Sequence, residues 1–163
     1  MVSKVIVTVE LSFEHSLKQD IRDYLFLIDR NINIRGTVFR GVLLIETTRD
    51  SRDIASILIN SPIPDNALTT IVPIIDEGNY NNLNDIINMV SRNLGSGCRS
   101  FIVRCRLRNS PISDDSCERA IINFLRNKGI HAVFRGESDC AVVVEGLDNW
   151  AGIYVGSRVY VRV

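Results

Sequence analysis

Hydrophobic runs of period two and period 3.6 alternate along this chain in a fixed order, and that order limits the fold more than any other feature. Val5, Val7 and Val9 alternate with Ile6, Thr8 and Glu10, which predicts a mostly apolar, β-branched strand for a sheet interior. Leu17, Ile21, Tyr24, Leu25 and Ile28 then fall on one stripe of a helix, with Ser12 or Ser16 as its cap. Residues 32–39 and 42–48 predict two strands joined tightly around Arg40-Gly41. A second helix follows Asp50 with Ile54, Ile57 and Leu58 inward, and Pro62 and Pro64 stop it because proline lacks a helix donor. Leu68 to Ile75 adds a strand, broken by Pro73. The sum is β-α-β-β-α-β, the order of a ferredoxin-like unit, over residues 1–77.

The polar stretch Asp76 to Asn82 marks a boundary, and the pattern restarts over residues 78–163. Leu83, Ile86, Ile87, Val90 and Leu94 predict a third helix, closed by Gly95-Ser96-Gly97. Phe101 to Leu107 predicts a strand with unlike faces: Phe101, Val103, Cys105 and Leu107 on one, Arg104, Arg106 and Arg108 on the other. A helix starting near Ser113 or Asp115 carries Cys117, Ile121, Phe124 and Leu125 inward, with Asp115 and Glu118 in capping-box spacing. It ends at Lys128-Gly129. Ala132 to Arg135, Cys140 to Glu145 and Ile153 to Val161 complete the chain as short strands. With 45% hydrophobic and 23% charged residues, both halves have material for a core. The expected class is α+β.

Several functional classes find no support. No apolar run approaches the roughly 20 residues of a membrane helix, and the N-terminal residues read as a strand, so the expected setting is the cytoplasm without a membrane partner. Cys98, Cys105, Cys117 and Cys140 lack metal-ligand spacing, so reduced, mostly buried thiols and no metal are expected. No phosphate-binding glycine loop, zinc-protease motif or nucleophile elbow occurs, and no cofactor is expected. His15 and His131 read as ordinary structural or surface residues, and Asp114-Asp115 as acids complementing a helix dipole. The reading is therefore not that of an enzyme.

Formal net charge is zero, yet residues 1–90 hold eight Lys and Arg against twelve Asp and Glu, whereas residues 91–163 hold eleven against seven. An anionic partner is thus directed to the second half. Strand alternation sets Arg104, Arg106 and Arg108 in a row roughly 7 Å apart, a spacing that suits a line of phosphates, with Asn109 placed for a sugar or base edge. The competing reading is a solvated face neutralised by Asp114, Asp115, Glu118 or Glu145.

The segment Ser100-Phe-Ile-Val-Arg-Cys-Arg-Leu-Arg-Asn109, a helix containing Ala120-Ile121-Ile122, then His131-Ala-Val-Phe and Cys140-Ala-Val-Val-Val-Glu145, resembles the pattern of the THUMP family. Asn84 to Leu94 resembles the helix before that strand, and Trp150-Ala-Gly-Ile-Tyr-Val155 the family's last strand. The stretch Phe134 to Asp139 departs from the pattern and keeps only Asp139. The resemblance implies a ferredoxin-like N-terminal domain followed by a THUMP-like α/β domain that binds tRNA at Arg104, Arg106, Arg108, Asn109, Lys128 and Arg135. Arg108-Asn109 is similar to the strand ending of the stand-alone type that assists tRNA acetylation. That implies an adaptor presenting the acceptor end of tRNA to a separate modification enzyme, an acetyltransferase forming N4-acetylcytidine. The alternative is a small-molecule regulatory or oligomerisation module built on the ferredoxin-like unit.

Overall fold

A computed structural model describes residues 2–163, which cluster into two compact units: the residues up to Ile74 together with Val159–Val163, and Ile75–Arg158. The polar stretch after Ile75 is not a linker. Asp76–Asn79 forms a strand of the second unit, and the last five residues belong to the first.

The first unit contains β1 (Ser3–Val9), α1 (Glu14–Phe26), β2 (Asn33–Gly36), β3 (Val42–Thr47), α2 (Ser51–Ile59) and β4 (Leu68–Ile74). Its sheet order is β2-β3-β1-β4, with all neighbours antiparallel. Strand β1 is central, and Val5, Ile6 and Val7 are all fully buried, as its unbroken β-branched run requires. Leu17, Ile21 and Leu25 of α1 and Ile54, Ala55 and Leu58 of α2 pack with Val5, Val7, Leu43, Ile45 and Ile71 in one core.

Local chemistry moves several boundaries. Neither Ser12 nor Ser16 caps α1. A 3-10 turn at Leu11–Phe13 leads in, its Ser12 N–H donating to Glu10, and Ser16 Oγ donates back to the Phe13 carbonyl. Strand β2 ends at Gly36 because Thr37 Oγ1 accepts from Phe39 N–H and donates to carbonyls, building a turn where a longer strand was expected. Gly41 closes that hairpin at φ +77°, and a Cβ there would stand 2.9 Å from both the Val9 carbonyl and Leu11 Cδ2. Pro73 does not break β4. It pairs in register with Val5, tolerated because β4 ends the strand order. Helix α2 follows Asp50 as expected, and the Asp50 side chain caps it, accepting from Arg52 N–H at 2.8 Å.

The second unit contains β5 (Asp76–Asn79), α3 (Leu83–Arg92), β6 (Ser100–Arg108), α4 (Asp114–Asn127), β7 (His131–Val133), β8 (Cys140–Leu147) and β9 (Trp150–Ser157). The sheet order is β5-β9-β8-β6-β7, with β6 parallel to β7 and β8, and the remaining pairs antiparallel. Phe101, Val103 and Cys105 of β6 share a core with Val142 and Val144 of β8, Ile86 and Val90 of α3, and Cys117, Ile121 and Leu125 of α4. The predicted inner face of β6 is therefore the observed one. Beyond β9, Arg158–Tyr160 is a 3-10 turn rather than more strand.

Two expectations fail in this unit. Asp115 and Glu118 form no capping box. Ser113 caps α4 through Ser116 N–H, and the Glu118 carboxylate is used elsewhere. Cys98 and Cys140 are joined in a disulfide, while Cys105 and Cys117 are free and buried. Because β6 and β8 pair from Phe101 and Cys140 onward, the cysteine just before β6 lies within bonding reach of the one opening β8.

Candidate nucleic-acid interface

Strand β7 pairs only with Ser100, Phe101 and Ile102, so the outer edge of β6 lacks a strand partner from Val103 onward. An open edge leaves main-chain donors unsatisfied. Helix α4 supplies acceptors: Cys105 N–H donates to Glu118 Oε2 at 3.0 Å, and Leu107 N–H to Asp114 Oδ1 at 2.7 Å. Asp115 pairs with Arg119 one turn along α4, at 3.0 Å. Three of the four acids that the sequence offered as partners for the arginine row are thus engaged elsewhere, and the fourth, Glu145, is not.

The row itself divides. Arg108 Nη1 meets Glu145 Oε2 at 2.7 Å; the Arg108 side chain is 17% exposed and Glu145 is fully buried. Desolvation raises the Glu145 carboxyl above its ordinary range against the opposing pull of Arg108 and, more weakly, of Arg106. Beside this pair Gly146 lets Leu107 pack against β8, since a Cβ there would lie 2.8 Å from Leu107 Cδ2. The expected row of three free cations is therefore reduced to two. Among the described residues, Arg104 and Arg106 have no carboxylate partner, and the buried Nε of Arg104 has no hydrogen-bond partner at all.

Arg104 lines a groove of about 570 Å³ with Arg126, Arg135, Val133, Phe134, Asp115 and Glu118. Arg126 is held there by its Nε donating to the Ala132 carbonyl at 3.1 Å. Phe134 is 39% exposed, a large apolar side chain in the same groove as three arginines. Asp115 is already paired with Arg119, so three arginines face one remaining carboxylate, Glu118, and the net charge of the groove is positive. Planar cations beside an exposed ring suit phosphate and base together.

The remaining predicted residues lie apart from this groove. Asn109 adopts φ 53° and donates to Asp148 Oδ1 at 2.7 Å, in a smaller recess with Tyr80, Asn81 and Pro111. Lys128 ends α4 with its ammonium 5.1 Å from the centre of the Phe124 ring. Asp139, kept from the family pattern, accepts from Arg99 N–H and from Ser100 N–H and Oγ, which lowers its pKa and pins the start of β6. Sequence reasoning missed Arg126 and Phe134. Asp115, Glu118, Ile122 and Arg126 follow helical spacing, a signal that aligns Arg126 with the two acids of the groove.

These two sheets and four helices form a mixed α/β, THUMP-like fold. No family model and no curated protein matches the sequence. Solved structures do match. PH1313 from Pyrococcus horikoshii Ot3 aligns at TM-score 0.62 and 18% identity, over 94% of this chain and 54% of its own. TrmN from Thermus thermophilus aligns at TM-score 0.68 and 13% identity, over 94% of this chain and 45% of its own. A 4-thiouridine synthetase, solved with RNA and bound ATP, aligns at TM-score 0.52 and 13% identity, over 95% of this chain and 41% of its own. The chain thus spans about half or less of the length of these structures. Among the described residues no helix is long and apolar enough to cross a membrane, and no cluster of His, Cys, Asp or Glu could hold a metal.

Proposed function

We propose that this chain binds RNA through the groove of Arg104, Arg126 and Arg135, with Arg106 extending the contact along β6 and Phe134 stacking a base. The observation that carries this reading is the charge of the groove: Arg104, Arg126 and Arg135 line it against Glu118 and an Asp115 already paired with Arg119, and the buried Nε of Arg104 has no partner. The THUMP-like fold supports it, as does an RNA-bound synthetase among the structures that share it. Within that reading the RNA is tRNA, gripped at its acceptor end. The chain is an adaptor without chemistry of its own, presenting tRNA to a separate modification enzyme such as one forming N4-acetylcytidine.

Titration of labelled bulk tRNA with the full chain at about 50 and 200 mM salt tests the binding. Affinity is expected to fall steeply with salt, because displaced counterions drive phosphate contact. Absence of binding, or binding indifferent to salt, would sink it. For the adaptor role, the chain is added to a tRNA acetyltransferase, and acetylated cytidine is expected to rise. Acetylated product from the chain with tRNA and acetyl donor alone would contradict that role.

A further inference from the structure

In the first unit, the C-terminal half of α1 and the loop after α2 bound a groove of about 710 Å³. We infer that it docks a basic, amphipathic helix of a partner protein. Its walls are apolar and exposed: Tyr24 is 37% and Leu27, which caps the helix end, 89% accessible. Singly exposed leucines are ordinary, but an apolar wall facing a second apolar wall across an open groove is the form of a binding site. The second wall carries Pro62 and Pro64 and is held in shape by Ser61 N–H on the Leu58 carbonyl and by Ala67 N–H and Leu68 N–H on the Pro64 carbonyl. A preformed wall needs little ordering when a ligand arrives.

Charge selects the occupant. Asp20 and Asp23 rim the groove, and no Lys or Arg lines it. The last turn of α1 carries no basic residue, so the partial negative charge of that helix end is not offset within the helix. The cations of α1, Lys18 and Arg22, line a different recess with His15 and Gln19. An acidic rim repels nucleic acid and attracts Lys or Arg flanking an apolar stripe, the pattern of a helix laid in a groove. Under the adaptor reading the partner is the modification enzyme; the binding itself does not depend on that reading.

The probe is a labelled peptide of about 18 residues, with leucines at i, i+3, i+4 and i+7 and lysines between, beside a twin with glutamates for the lysines. Anisotropy with the full chain should show saturable binding of the lysine peptide and none of the glutamate peptide. Amide shifts should cluster on α1 and residues 61–64. Replacing Tyr24 and Leu27 by Ser should weaken binding by about tenfold or more, and Asp20→Lys with Asp23→Lys should reverse the preference between peptides. Affinity for tRNA should be unchanged in both variants. Equal binding of both peptides, no binding, shifts elsewhere, or self-association abolished by the Tyr24 and Leu27 variant overturns the proposal, the last in favour of a second copy. Loss of tRNA affinity in that variant overturns it in favour of RNA. Failure of tRNA to bind the unaltered chain refutes the RNA reading and leaves the peptide result standing.

Discussion

The two units leave opposite charges around their grooves. In the second, Asp114, Glu118 and Asp139 accept from main-chain N–H groups, and arginines are left over around the groove. In the first, Arg22, Arg49 and Arg162 donate to main-chain carbonyls, and Asp20 and Asp23 are left on the rim of an apolar cleft. Both units also do the converse: Arg126 and Arg158 of the second donate to carbonyls, and Glu10, Glu14, Asp29 and Asp50 of the first accept from N–H groups. Backbone groups compete with opposite charges for the same side chains, so many ions of this protein are held in place without being neutralised. A net charge of zero therefore hides one groove lined mainly by arginines and another rimmed by aspartates.

The strongest challenge to this contrast is Arg108, the one arginine of the row held by a carboxylate. Arg108→Ala leaves Glu145 buried without its cation and should cost about 3–5 kcal/mol in urea unfolding. Adding Glu145→Gln should recover part of that loss. A cost below about 1 kcal/mol would mean that Glu145 is not charged in the folded protein, and the row would again count three cations.

Asp29 offers a smaller and oppositely signed test. Its carboxylate accepts from Thr47 Oγ1 at 2.6 Å and from Thr48 and Asn31 N–H at 2.9 Å, and these bonds lower its pKa to about 2. A lowered folded-state pKa contributes stability above the ordinary value of 3.8 that is lost as pH falls towards about 2. That contribution is roughly 2 kcal/mol, and Asp29→Asn should remove it together with the acid sensitivity in that window. Glu145, raised instead, contributes stability that declines as pH climbs from 4.5 through its folded pKa. Unfolding curves from pH 2 to 7 separate the two.

Arg104→Ala with Arg135→Ala should lower tRNA affinity about tenfold and flatten the salt slope by roughly one for each phosphate no longer engaged. An unchanged slope would remove both from the interface. The smallest effect is expected from Glu118→Gln, which keeps an acceptor for Cys105 N–H while deleting a charge beside the groove. Stability should shift by less than about 1 kcal/mol and tRNA affinity rise by about twofold. A fall in affinity would show that Glu118 touches the RNA.

Helices and strand faces were legible because each unit buries one face per element, and periodicity records that directly. Phe101, Val103 and Cys105 are inward as their alternation predicts, and α2 begins directly after Asp50. What escaped depends on neighbours distant in sequence. Asp76–Asn79 has the composition of a turn and becomes strand only by pairing with β9. Tyr24, counted in the apolar stripe of α1, is exposed, since its place faces the groove rather than the core. Of the candidate site, Arg104 and Arg135 converge, while Arg108 and Asn109 turn to Glu145 and Asp148 across strand pairings that no local motif announces.

The bond between Cys98 and Cys140 encloses β6, α4 and β7, and with them Arg104, Arg126, Phe134 and Arg135. The groove is thus carried on a closed covalent ring. A single protease cut anywhere within it yields two pieces that migrate together until a reductant is added, whereas a cut outside releases a fragment at once. The same ring brings the residues of the site closer together in the unfolded chain than sequence separation suggests, and a reducing compartment would restore the full separation.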